Sequence, residues 1–97
     1  MTIAAGIELP EDKIADICRR HQVRELSLFG SAARGEMRPD SDVDLLVSFK
    51  DAVTSDAFFG LKFFLEDLLG RRIDLVTSAA LREPIRRAIA AELLSVA

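Results

Sequence analysis

Between Gly30 and Asp44 the chain reads GSAARGEMRPDSDVD, and the carboxylates of this run set its possible chemistry. Asp42 and Asp44 are two apart in a segment of alternating character, so on a strand both project from one face. Two adjacent like charges repel, and either a divalent cation or an upward pKa shift relieves them. Oxygen-only ligands favour Mg2+, or Mn2+, over zinc or copper. Just before the pair, Gly30-Ser31 follows a strand-like run and opens a turn, which offers backbone N–H groups and a hydroxyl to a phosphate. Gly30 lets a phosphate come close to the backbone.

Asp74, in the alternating run Arg72-Ile73-Asp74-Leu75-Val76, adds a third carboxylate if its strand lies beside the one carrying the pair. Three carboxylates around two cations suit attack at phosphorus. One ion lowers the pKa of an acceptor hydroxyl, and the other binds nucleotide phosphates and stabilises the departing oxygen. In that scheme Asp74 serves the nucleophile side, Asp42 and Asp44 share both ions, and Gly30 and Ser31 hold a triphosphate. Arg34 has two readings, a phosphate contact or a salt bridge to Glu36 or Asp40 that stiffens the loop. Ser41 also has two, a cap on the turn beside Asp42 or a direct nucleotide contact. Taken singly, an Asp-x-Asp pair is more often a solvated face and Gly-Ser only a turn, so the weight rests on their combination.

The elements that must position these residues follow from period and punctuation. After Pro10, acidic residues lead and Arg19, Arg20 and His21 close a segment with Ile14, Ile17 and Cys18 on one stripe, a helix matched to its own dipole. His21 falls where it can meet the last free carbonyls, and Cys18 reads as a core residue rather than a reactive thiol. Glu25–Phe29 and Val43–Phe49 read as strands, separated by a short helical turn that Ser31 can cap and Gly35 can end, then by a turn at Arg38-Pro39-Asp40-Ser41. Ser55-Asp56 can cap a helix that Gly70 terminates, with Phe58, Leu61, Phe64, Leu65, Leu68 and Leu69 on its core face. Phe59 and Phe63 fall elsewhere, beside Lys62 and Glu66. They are candidates for a partner interface, the alternative being burial beneath the first or last helix. Arg72–Val76 reads as a third strand, and Pro84 opens a last helix whose stripe, Ile85, Ala88, Ile89, Leu93 and Val96, runs to the chain end. Arg71, Arg72, Arg82, Arg86 and Arg87 are solvated element ends or flank a nucleotide or partner surface.

Composition narrows the function classes. The 97 residues imply a single domain over 1–97, and a formal charge of −3 argues against stable capture of nucleic acid. Carboxylate-bound cations can reverse the local sign, so a phosphate substrate stays open. A lone histidine leaves a histidine-rich zinc site or a histidine-based triad without material. Lys62, Glu66 and Asp67 interrupt the most apolar stretch, so no membrane span is expected, and a cytoplasmic location follows from the absence of a signal-like start.

The run GSAARGEMRPDSDVDLLVSF resembles the signature of the DNA polymerase beta-like nucleotidyltransferase superfamily: Gly-Ser, Arg-Gly, then Ser-Asp-x-Asp-Leu. Ile73-Asp74-Leu75-Val76 is similar to the later strand bearing that family's third carboxylate, and LREPIRRAIAAE to the final helix of its minimal members. The resemblance implies an α+β fold, a small mixed sheet of three to four strands with helices packed on one face. It also implies Mg2+, with two ions, and ATP as substrate. It is to the minimal nucleotidyltransferase antitoxins of toxin–antitoxin modules, which transfer AMP to a tyrosine of a HEPN-family RNase toxin, so a hetero-oligomer is expected. Gly30, Ser31, Asp42, Asp44 and Asp74 carry over as active-site positions, with Arg34 matching the signature beside them. Acting by binding and masking the toxin, or on a small-molecule or RNA hydroxyl, are the competing expectations.

Overall fold

The computed structural model describes residues 2–3, 7–38 and 40–96, with side chains from residue 8 onward, so Pro39 of the expected turn lies outside the described residues. A two-stranded antiparallel pair, β1 (Thr2–Ile3) and β2 (Ile7–Glu8), comes first, and neither strand was expected from the sequence. Then follow α1 (Glu11–Arg20), β3 (Val23–Phe29), α2 (Gly30–Arg34), β4 (Val43–Phe49) and α3 (Ser55–Leu69). β5 (Ile73–Thr77), a 3-10 turn at Ser78–Ala80, α4 (Glu83–Ala90) and β6 (Leu94–Ser95) complete the chain. The main sheet runs β5-β4-β3-β6, with β4 and β5 parallel and both other pairings antiparallel. It is therefore a mixed, open four-stranded sheet, within the expected α+β class.

Alternation along the strands assigns the two faces. Leu26 and Leu28 of β3, Val43, Leu45 and Val47 of β4, and Ile73 and Leu75 of β5 are buried, packed with Ile14, Ile17 and Cys18 of α1 and Leu61 and Leu65 of α3. The intervening residues, Asp44 and Asp74 among them, have the opposite parity and leave the other face polar at that level. Burial raises the Cys18 thiol pKa, which fits the core reading. His21 ends α1 with Nδ1 at 2.9 Å from the Ile17 carbonyl, the helix-end role expected of it.

Four local expectations are corrected. Ser31 does not cap α2, because the helix starts one residue earlier at Gly30. Thr54, not Ser55 or Asp56, caps α3, its hydroxyl accepting the Ala57 N–H at 3.1 Å; Gly70 ends the helix at φ +65° as expected. Phe64 is 50% exposed and packs edge-on against His21 rather than entering the core, since Leu61 and Leu65 already fill the space under α3. The last helix stops at Ala90, and the remaining stripe folds back as β6, which places Val96 against the core with its N–H on the Leu26 carbonyl at 2.9 Å. Edge pairing on β3 satisfies backbone groups that a longer helix would have left beside an open strand. Among the described residues no helix is long and apolar enough to cross a membrane.

Candidate active site

The strand register brings the carboxylates together. Asp44 of β4 lies opposite Phe29 of β3 on one side and Asp74 of β5 on the other, so Phe29, Asp44 and Asp74 stand at one level across three strands. The parallel ladder starts just before this level, where the Val43 N–H donates to the Arg72 carbonyl at 2.9 Å. Glu66 of α3 secures the same end of β5, one oxygen accepting from the Ile73 N–H and from Lys62 Nζ, each at 3.0 Å. Those bonds hold the Glu66 carboxyl below its usual range.

Asp44 and Asp74 are direct partners in the parallel β4–β5 ladder, so the two carboxylates stand side by side and act on each other electrostatically. Partial burial first, then the neighbouring Asp74 and, more weakly, the Asp42 charge push the Asp44 carboxyl up to about 6, against a small opposing effect of Arg34. Asp42, exposed at the mouth of β4, is instead held by Arg72, with Nε 3.2 Å from Oδ1. Among the described residues no three metal-ligating side chains are already gathered to hold an ion. The donor set nevertheless fits a hard divalent cation: Asp44 and Asp74 set two carboxylates side by side at one level of the sheet, and their mutual repulsion contributes to the raised Asp44 pKa.

Gly30 turns the chain at the end of β3 with φ +67°, and a Cβ there would collide with Asp44 Oδ2. The glycine is thus required twice, for its backbone angle and for its closeness to the carboxylate. Ser31 follows it in α2, and its carbonyl closes the turn by accepting the N–H groups of Gly35 and Glu36. Arg34 donates from Nε to Glu36 at 3.0 Å and from Nη1 to Glu92 at 2.9 Å, so the structure holds it in the loop-stiffening arrangement. Ser41 Oγ accepts the Arg38 N–H at 2.9 Å, a turn-capping role, and Arg71 fastens that turn by donating to the Ser41 and Arg38 carbonyls.

Glu92 was not singled out from the sequence, although it receives both Gly30 N–H and Arg34. Sixty-two positions separate it from Gly30, and only the β6–β3 pairing brings them together. Phe59 and Phe63 are 48% and 57% exposed and stacked with centroids 6.2 Å apart, with Lys62 over the Phe63 ring, so neither is buried under a helix. Phe59 also lines a cavity of about 590 Å³ with Val47, Phe49, Val53 and Thr77, at the opposite end of β4 from Asp44.

Comparison with known proteins gives a consistent result. The nucleotidyltransferase domain family matches residues 11–95. The protein adenylyltransferase MntA of Thermococcus cleftensis is 41% identical over 81 residues, which cover 84% of this chain and 82% of that protein. A solved structure assigned as a minimal nucleotidyltransferase superposes with a TM-score of 0.78 at 39% identity, covering 87% of this chain and 86% of the other. The MNT antitoxin complex with a tri-AMPylated HEPN toxin from Shewanella oneidensis matches with a TM-score of 0.67 at 21% identity, over 90% of this chain and 68% of the other, a likeness of fold.

Proposed function

The chain belongs to the nucleotidyltransferase domain family, and we propose that it is an antitoxin that transfers AMP from ATP to a HEPN toxin. In this reading residues 1–97 act as one domain in the cytoplasm, Mg2+ is required, and the acceptor is a tyrosine hydroxyl of the toxin. The observation that carries the reading is the juxtaposition of Asp44 and Asp74 in the β4–β5 ladder at the level where Gly30 closes β3, because it sets paired carboxylates beside a turn that has no side chain to cover Asp44. The adenylyltransferase relative and the AMPylated toxin in the related complex support the choice of AMP and of a HEPN partner.

The acceptor oxygen forms a bond to the α-phosphorus as the bond from that phosphorus to the diphosphate breaks. Diphosphate leaves with the electron pair, and the hydroxyl proton passes to a carboxylate and then to water. Asp74, on the outer strand of the pair, is our candidate for that first proton acceptor. Asp42, Asp44 and Asp74 would hold Mg2+, which when bound offsets phosphate charge and favours the ionised acceptor. Ser31 is assigned to the triphosphate; Gly30, whose N–H is already donated to Glu92 and not offered to a phosphate as the sequence suggested, contributes the close approach that its missing side chain allows. Arg34 and Ser41, already engaged within the protein, would support the phosphate turn and the Asp42 turn rather than contact the nucleotide.

The test is incubation with Mg2+, α-labelled ATP and the cognate HEPN toxin, read by intact mass. Addition of one or more AMP units to the toxin, lost in the Asp42→Asn, Asp44→Asn double variant, is expected. A stable complex without any mass shift would refute transfer. It would favour masking by binding, a second reading that the exposed Phe59–Phe63 stack supports.

A further inference from the structure

The C-terminal segment reaches into the phosphate turn. Glu92 leaves the end of α4 with its N–H on the Ile89 carbonyl at 3.0 Å, and its position is fixed by the strand that follows. Leu94 and Ser95 pair with Leu28 and Ser27 of β3, and the Val96 N–H bonds to the Leu26 carbonyl. From there one carboxylate oxygen accepts the Gly30 N–H at 2.9 Å and the other accepts Arg34 Nη1 at 2.9 Å. The side chain is only 23% exposed, and the two bonds hold its carboxyl below the usual range.

The direction of approach defines what this contact does. β3 has β4 on one side and β6 on the other. Glu92 comes from the β6 side, whereas Asp44 stands on the β4 side, against the α-carbon of Gly30. The carboxylate therefore grips the turn from the side of β3 opposite to Asp44. Arg34, shared between Glu92 and Glu36, offsets part of the charge that a fourth carboxylate brings near the site. Gly30 has the widest conformational freedom of any residue type, and an unanchored glycine at the end of a strand would sample many arrangements of Ser31.

We infer that Glu92 is a positioning residue for the nucleotide phosphates: it locks Gly30 and Arg34 so that the turn is preorganised before ATP arrives. The C-terminal strand is then part of the active site. This inference rests on the nucleotide-transfer reading, and its test separates the two. The full chain with Mg2+ is titrated with a non-hydrolysable ATP analogue by calorimetry, for wild type, Glu92→Ala and Glu92→Gln.

Glu92→Ala removes both bonds, and its Kd is expected to rise about tenfold. Glu92→Gln keeps an acceptor for the Gly30 N–H but loses the charge facing Arg34, and a rise of about threefold is expected. In the transfer assay the KM for ATP should rise with Kd while the KM for the toxin stays unchanged. A merely structural role predicts otherwise, because a smaller folded fraction lowers kcat and leaves both KM values alone. Equal or tighter binding by Glu92→Ala, with wild type binding normally, overturns the inference and leaves the proposed function standing. If Glu92→Ala does not fold, the threefold loss in Glu92→Gln decides, and wild-type affinity there overturns it. No analogue binding by wild type overturns the nucleotide-transfer reading together with this one.

Discussion

Replacing Asp44 with asparagine should stabilise the metal-free protein at neutral pH while abolishing its chemistry. The Asp44 carboxyl moves from 3.8 to about 6 on folding, through burial first and the Asp74 charge second. The folded state thus binds a proton at this site that the unfolded state releases, so the associated stability is fully present below about pH 4 and is lost as pH rises through about 6. At about 1.4 kcal/mol per pH unit the upper bound is near 3 kcal/mol, and screening at this partly exposed position reduces it to about 1–2 kcal/mol. Asparagine mimics the neutral form and can donate to Asp74 as the protonated acid does. In urea unfolding with a chelator present, Asp44→Asn should therefore exceed wild type by about 1–2 kcal/mol at pH 8, or roughly 5–10 °C in Tm, and match it near pH 4. Taking the difference between the two proteins matters, because Glu66 and Glu92 have lowered pKa values and lose their stabilising contributions as pH falls. A variant less stable than wild type at pH 8, or a difference that does not change with pH, would refute this account of the carboxylate pair.

The remaining predictions concern the turn and the aromatic surface. Gly30→Ala should cost about 2–4 kcal/mol and eliminate AMP transfer, because it combines a left-handed backbone angle with a collision at Asp44. Gly35→Ala has a similar angle, φ +70°, but open space around it, so it should cost about 1–2 kcal/mol by thermal melting and keep transfer. Equal loss of activity in both variants would show that the contact with Asp44 is not what matters. Phe59→Ser with Phe63→Ser should leave the melting temperature within a few degrees and weaken toxin binding at least tenfold in a pull-down titration; unchanged binding would remove these residues from the interface.

What could be read in the sequence was what depends on local period. β4, with Asp44 on one parity and Val43, Leu45 and Val47 on the other, follows directly from alternation, and Gly35 and Gly70 end their helices at positive φ as their type requires. The adjacency of Asp44 and Asp74 was not a local property: it needs the parallel pairing of β4 with β5, which α3 makes possible by carrying the chain back between them. The carboxylate positions themselves were legible because an Asp-x-Asp spacing survives any strand order.

The Glu92 clasp was illegible for a stronger reason. The pattern from Ile85 to Val96 satisfies a helix as well as it satisfies a helix followed by a strand, and only the free edge of β3 selects the second. Once that edge captures Leu94 and Ser95, the turn at Ala91–Glu92 is forced back toward Gly30, and a residue that would be a solvated glutamate on a longer helix becomes a ligand of the phosphate turn. The same unpaired edge that a sheet must protect thus supplies the leverage that organises its active site. The length of the final helix is a functional variable, because one further turn of α4 would carry the Glu92 carboxylate away from the amide it now holds.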